Sequence, residues 1–338
     1  MNSKIPEATT VGDVLENHEP RTSIFVDSNA QIPSSQDERV CNLTLTKVPN
    51  ATTLREWVEV CPNVTSIYFL THSAPAKGLA ALAAAWPAID RIAVCHGLGK
   101  GGGKSLALFP NLTHLQLSGK GVDNTAVKQV ASGCTLLRVV KIEQEWKGSR
   151  DKGPVKDSSL VALIQANPGL EEACLSYTAL TDATLEALGE SAPCLTSLDV
   201  SRRPVSDQGL ASLAAGCPAL STLLLLSDQV TDAGVEAIAS LPLTTLNLCY
   251  AAVTHTGLAS LAATPSLTHL DLQGVALTDA AVAAVASACQ SLVRLSFPRD
   301  TSVSKKAHTL ANAINAPPSS SRQRKILKSL AALQRSLS

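Results

Sequence analysis

Leu195-Thr-Ser-Leu-Asp-Val-Ser-Arg-Arg-Pro-Val205-Ser-Asp-Gln-Gly-Leu-Ala-Ser-Leu-Ala-Ala-Gly-Cys217-Pro218 is the stretch from which the rest of the chain is read. Its opening follows L-x-x-L-x-L, and the end of that phrase alternates with period two. Leu198 and Val200 therefore point to one side and Asp199 to the other, as a short half-buried strand requires. After Arg203-Pro204 the apolar residues Val205, Leu210 and Leu213 recur at helical steps. Ser206 stands in front of them, where its hydroxyl accepts a hydrogen bond from the first free N–H groups of a helix. Cys217-Pro218 ends the unit, because proline cannot continue a helix.

The strand phrase returns eleven times. The copies start at Val40, Val64, Ile89, Leu112, Leu137, Leu170, Leu195, Leu220, Leu243, Leu267 and Leu292, at intervals of 24, 25, 23, 25, 33, 25, 25, 23, 24 and 25 residues. The helical phrase recurs with it at Leu180-Thr-Asp-Ala-Thr-Leu, Val230-Thr-Asp-Ala-Gly-Val, Val253-Thr-His-Thr-Gly-Leu and Leu277-Thr-Asp-Ala-Ala-Val. One strand and one helix cannot bury their apolar faces alone, so each copy needs neighbours; stacking puts parallel strands on the inside and helices on the outside. Aromatic residues make up only 3% of the chain, which suits a core of many small, similar layers.

The phrase C-P-x-L-x-x-L-x-L … V-T-D-x-G-L resembles the leucine-rich-repeat superfamily, of the cysteine-containing and ribonuclease-inhibitor-like kinds. It is similar to that of F-box/LRR substrate adaptors and of the mitotic-exit antagonist family, and it covers Val40 to Ile314. The resemblance implies an α/β fold, a right-handed horseshoe solenoid of about eleven repeats, with a parallel β-sheet on the concave face and short helices on the convex face. It divides the chain into an N-terminal leader and cap (1–39, with Ile24-Phe-Val as the small cap), the solenoid (40–316), and a linker with a basic amphipathic helix (317–338). It further implies a non-catalytic adaptor that binds a protein partner or, as an alternative, the substrate-recognition subunit of a ubiquitin ligase with ligase components as partners. Ile5-Pro6-Glu7 starts in the manner of an F-box, but no apolar helix follows it. One departure stands out: the slot three residues past the last strand leucine, usually Asn or Cys, holds Lys120, Thr178, Arg203, Asp228, Ala251 and Val275. Other groups must satisfy the backbone there, and the hydroxyls of Ser201, Ser227 and Thr254 are the candidates.

Charge and composition remove several function classes. The 28 basic and 28 acidic residues cancel, so no general field draws the chain to nucleic acid, and a nucleic-acid partner is not expected. No apolar run is long enough for a signal peptide or a membrane span, which places the chain in the cytoplasm or nucleus. Nine cysteines are spread one per segment without a CxxC pair and read as reduced thiols. Gly97-Leu-Gly-Lys-Gly-Gly-Gly-Lys-Ser105 tempts a phosphate-loop reading, and with it a nucleotide-dependent enzyme. Its spacing is wrong by one residue, and Phe109-Pro110 leaves no room for the long helix that should follow, so it reads as a flexible loop in place of one repeat's helix. His114 and His269 share one slot of the repeat but lie too many strands apart to share a metal. No cofactor, metal or catalytic residue is expected.

The strand period identifies the side chains that face away from the core: Tyr68, Arg91, His114, Gln116, Lys141, Glu172, Asp199, Asn247, His269, Asp271 and Arg294. Tyr177 and Tyr250 follow just beyond the strands, and Leu224 and Leu226 stand where polar residues are expected. This mixed surface fits a protein partner. The 33-residue interval inserts a loop carrying Trp146, Lys147 and Arg150, residue types favoured in contacts, as a second candidate surface. In the last segment Ile326, Leu330, Leu333 and Leu337 form one stripe among Arg322, Arg324, Lys325, Lys328 and Arg335. That pattern reads as a cap over the final repeat, or alternatively as a helix for a partner groove or an acidic membrane surface.

Overall fold

In the computed structural model, which describes residues 22–26, 40–46, 51–69, 73–143, 155–176, 178–298, 303–319 and 321–337, successive strand phrases lie side by side. The strands are β1 (Thr22–Val26), β2 (Val40–Leu45), β3 (Ser66–Phe69), β4 (Arg91–Val94), β5 (His114–Ser118) and β6 (Val139–Glu143). They continue as β7 (Glu172–Cys174), β8 (Ser197–Asp199), β9 (Thr222–Leu226), β10 (Thr245–Cys249), β11 (His269–Asp271) and β12 (Arg294–Ser296). They form one sheet in sequence order, and every neighbouring pair is parallel. Equivalent slots pair directly, as Leu198 with Leu223 and Leu246 with Leu270, so the strand leucines stack into continuous buried rows. Among the described residues the sheet holds 12 strands, one more than the copies of the phrase, because Thr22–Val26 pairs with β2 ahead of the first copy.

A helix follows nearly every strand and turns its leucines onto the sheet. Leu185, Leu188, Leu210, Leu213 and Val235 are all fully buried. Strands need about 4.8 Å each and packed helices 8–10 Å, so the stack curves with the sheet inside. Small residues moderate the mismatch. A Cβ on Gly216 would fall 1.7 Å from the Gly189 carbonyl oxygen, so the helices Asp182–Ser191 and Asp207–Gly216 touch backbone to backbone.

Three ladders of polar side chains run from repeat to repeat, away from the turn slot in which the Asn/Cys ladder is missing. The first joins helix N-termini. Asp157, Asp182, Asp207 and Asp232 each open a helix, and each accepts the N–H of the Ser or Thr that caps the next one, at 2.8, 2.8, 2.8 and 2.7 Å. The same carboxylates take the hydroxyls of Thr181, Ser206, Thr231 and Thr254 at 3.0, 2.5, 2.5 and 2.6 Å. Those hydroxyl oxygens in turn accept N–H groups of their own helices.

The second ladder enters the strands, where the hydroxyls of Thr196, Ser221, Thr244 and Thr268 donate to the carbonyls of Glu171, Thr196, Ser221 and Thr244 at 3.0, 3.1, 3.1 and 2.8 Å. The third lies at the helix C-termini and accounts for three of the nine cysteines. Cys134, Cys217 and Cys289 donate thiol hydrogens to the carbonyls of Leu106, Ala192 and Leu261 at 3.4, 3.4 and 3.5 Å, while Thr264 and Trp86 fill the same slot with a hydroxyl and an indole N–H. Burial pushes the Cys134 thiol up to about 12 and those of Cys217 and Cys289 to about 11, so they stay protonated and donate. Of the three hydroxyls expected to serve the turns, Ser227 donates to the Val205 carbonyl at 2.8 Å and Thr254 joins the first ladder. At Ser201 the backbone N–H is the group served, by Asp199.

The glycine-rich segment departs from its expected form. Gly102–Leu106 is a short helix, not an open loop, and a Cβ on Gly103 would lie 2.5 Å from the Ala126 Cα of the next repeat. These glycines let two repeats meet and leave no cradle for a phosphate. At the far end Arg322–Gln334 packs on Lys305–Ile314 and Asp279–Ala288, burying Ile326 and Leu333. Arg322 ties it down by donating to the carbonyls of Ile314 and Leu292 at 2.6 and 2.8 Å.

Candidate functional site

The solvent-facing side of the sheet is where side chains from many repeats converge on one surface. The residues expected there occupy β3 (Tyr68), β4 (Arg91), β5 (His114, Gln116), β6 (Lys141), β7 (Glu172), β8 (Asp199), β10 (Asn247), β11 (His269, Asp271) and β12 (Arg294). Each lies at a position alternating with the buried leucines, and all are half-buried or exposed. Trp146, Lys147 and Arg150 lie outside the described residues, as does Tyr177.

Several of these polar groups have local work. Asp199, Asn247 and Asp271 accept the N–H two residues ahead (Ser201, Cys249, Gln273) at 2.8, 2.9 and 3.1 Å, which turns the chain off the end of each strand. Thr113 and Thr268 hydroxyls lie 2.8 Å from the Nδ1 atoms of His114 and His269. Cys174 sits between Glu143 and Asp199, with Sγ 3.6 Å from a carboxylate oxygen of each. Burial, with the charges of Asp199 and then Glu143, pushes its thiol up to about 12, so it serves as a neutral donor and not as a nucleophile. Burial likewise raises the Asp271 carboxyl above its ordinary value, against the opposing pull of the Gln273 N–H and of Arg294. Among the described residues no three His, Cys, Asp or Glu side chains come together in a way that could hold a metal ion.

The surface changes character at β9. Leu224 and Leu226 both face solvent, half-buried, with Asp199 and Asn247 paired to Leu224 on either side. Just past β10, Tyr250 is 59% exposed and holds φ at 62°, and Arg202 past β8 holds φ at 64°. Equivalent slots elsewhere are Gly119 and Gly274, with φ of 87° and 77°. Four turns thus pass through a left-handed residue at this slot, where His96 and Ser227 do not, and two of the four carry an arginine and a tyrosine there in spite of the strain, about 1–2 kcal/mol each. Glycine in two copies of this slot is the signal the sequence carries, but it does not separate Tyr250 and Arg202 from Ser227, which holds the slot without a left-handed backbone.

A parallel sheet in strict sequence order, with a helix after nearly every strand and a leucine row between them, defines a leucine-rich-repeat solenoid. Comparison with known proteins agrees on the fold. No family profile matches the chain, and no curated protein does. Among solved structures it is similar to the Rad7 and Elc1 complex of yeast, with 18% identity and a TM-score of 0.60 over 80% of this chain and 72% of that one. It is also similar to an internalin of Listeria monocytogenes, with 16% identity and a TM-score of 0.50 over 79% and 76%.

Proposed function

We propose that the chain is a non-catalytic scaffold that holds a protein partner on its concave face, centred on β8 to β11. The observation that carries this reading is the cluster of Leu224, Leu226 and strained, exposed Tyr250 inside a surround of Asp199, Asn247 and Asp271. An apolar and aromatic centre with a polar rim is how protein interfaces are built, and the tyrosine, whose ring lies over Gly274, is kept in spite of its backbone strain.

Tyr250→Gly separates binding from stability, because glycine relieves the backbone strain. The variant is expected to melt at or above the parent temperature, while capture of the partner recovered by the parent protein falls by about 30-fold. Leu224→Glu is expected to lose the same partner. Undiminished capture by both variants would place the contact elsewhere. A second reading, a substrate-recognition subunit of a ubiquitin ligase, draws on the resemblance to F-box/LRR adaptors and on the likeness to Rad7, which was crystallised with a second protein, Elc1. Cullin-adaptor proteins among the captured chains would support it; partners captured without them would reject it.

A further inference from the structure

We infer that the C-terminal helical hairpin is a docking surface for anionic membrane lipid, separate from the concave face. Charge is balanced over the whole chain but not along it. Residues 301–338 contain seven basic side chains and no acidic one, leaving 21 basic against 28 acidic in the rest. The hairpin pairs Lys305–Ile314 with Arg322–Gln334, and Arg322 is consumed in joining them. Lys305, Lys306, Arg324, Lys325 and Lys328 are exposed.

Their placement has no stabilising rationale. Among the described residues five helices of the solenoid open with an aspartate (Asp157, Asp182, Asp207, Asp232, Asp279), which suits the positive end of the helix dipole. The helix of Lys305 and Lys306 opens with two cations instead, and Arg324 and Lys325 crowd the first turn of its partner. Each such cation is unfavourable at that end. An external polyanion reverses that sign.

The geometry favours a lipid surface over other polyanions. Ile326 and Leu333 face the solenoid, so at 100° per residue Arg324, Lys328 and Ala331 lie on the opposite, outward line, with Leu327 beside them. Leu327 and Leu337 are 56% and 48% exposed, two of the six large apolar side chains exposed among the described residues. Cations on the outward face with exposed Leu327 beside them match a headgroup layer above hydrocarbon. An acidic peptide would call for a groove, and a nucleic acid for aromatic side chains to stack on bases; the ridge offers neither.

Co-sedimentation of the full chain with vesicles tests this. Binding to phosphatidylcholine vesicles carrying about one third phosphatidylserine is expected, with none to phosphatidylcholine alone and loss at high salt. Arg324→Glu with Lys328→Glu should weaken binding at least tenfold with an unchanged circular dichroism spectrum, since both residues are exposed, and Leu327→Ser should weaken it several-fold. Failure of the parent chain to sediment with anionic vesicles overturns the inference, as does equal sedimentation of the charge-reversed double variant. Retention of polyglutamate or RNA in place of vesicles would assign the ridge to those partners and equally overturn it.

Discussion

Two neighbouring joints of the outer layer, built from the same phrase, are held in different ways. At the first, Asp232 receives the N–H and hydroxyl of Thr254, and Gly257 lies so close that a Cβ would stand 2.4 Å from a carboxylate oxygen. At the second, His255 occupies the aspartate slot, Thr278 the cap slot and Ala281 the glycine slot. Where the carboxylate is gone, the glycine is gone too. Acid, hydroxyl and glycine thus recur together at three joints, where the missing side chain makes room for the carboxylate; at Asp279, which takes the Ser304 N–H at 2.7 Å, Ala307 holds the glycine place. The same set stands at Asp182, Ser206 and Gly209 and at Asp207, Thr231 and Gly234. At Asp157 the third place is taken by Thr184, whose hydroxyl donates to the carboxylate at 2.6 Å.

That contrast can be broken most directly at Gly234, where a Cβ would meet Asp207 Oδ1 at 2.3 Å. Alanine normally stabilises a helix over glycine by about 1 kcal/mol, yet Gly234→Ala should destabilise by about 1–3 kcal/mol in urea unfolding because the carboxylate must move. A stabilised variant would dissolve the set. Asp207→Ala should cost about 2 kcal/mol, since two donors of Thr231 lose their acceptor, whereas His255→Ala at the joint without a carboxylate should stay within about 0.5 kcal/mol.

Rebuilding the interrupted joint is the next step down in size. His255→Asp together with Ala281→Gly should be more stable than the two single changes predict, by about 0.5–1 kcal/mol in a double-mutant cycle; simple additivity would count against the coupling. A smaller effect is expected from acid. Burial pushes the Asp232 carboxyl up, but hydrogen bonds from the Thr254 hydroxyl, the Thr254 N–H and the Gly257 N–H, with the His255 charge, hold it below its ordinary 3.8. A depressed carboxylate contributes stability that is complete above that value and is lost as pH falls through the lower folded one. Asp232→Asn should therefore flatten the acid limb of the stability curve, and an unaltered limb would remove Asp232 from the balance. The smallest change concerns the core: Ala173 replaces leucine in the β7 row and leaves a cavity of about 10 Å³ among Val140, Leu160, Leu163 and Leu170. Ala173→Val should shift the melting point by no more than a few degrees, upward if the neighbours keep their places.

Most of the solenoid was legible because a strand period of two and a repeat near 25 residues are properties of neighbouring residues. From them follow the leucine rows, the short helices, the side of the sheet that meets solvent, and the places of Asp199, Asn247 and Asp271 upon it. The strand Thr22–Val26 was less legible: it carries too little of the phrase and joins the sheet by pairing with β2. Gly102–Leu106 misled for a related reason, since glycine reads as loop until the adjoining Ala126 backbone is seen to require it.

By itself, then, the order of residues determined a stacked strand-and-helix solenoid and the membership of its inner face, because both rest on periodicity along the chain. Only the tertiary structure decided how one copy is locked to the next: Asp207 against Thr231, Cys217 against Ala192, and Gly216 against Gly189. It also decided which inner-face positions carry strain, at Tyr250 and Arg202. These depend on distances between residues some 25 positions apart, which take definite values only when the repeats are pressed together.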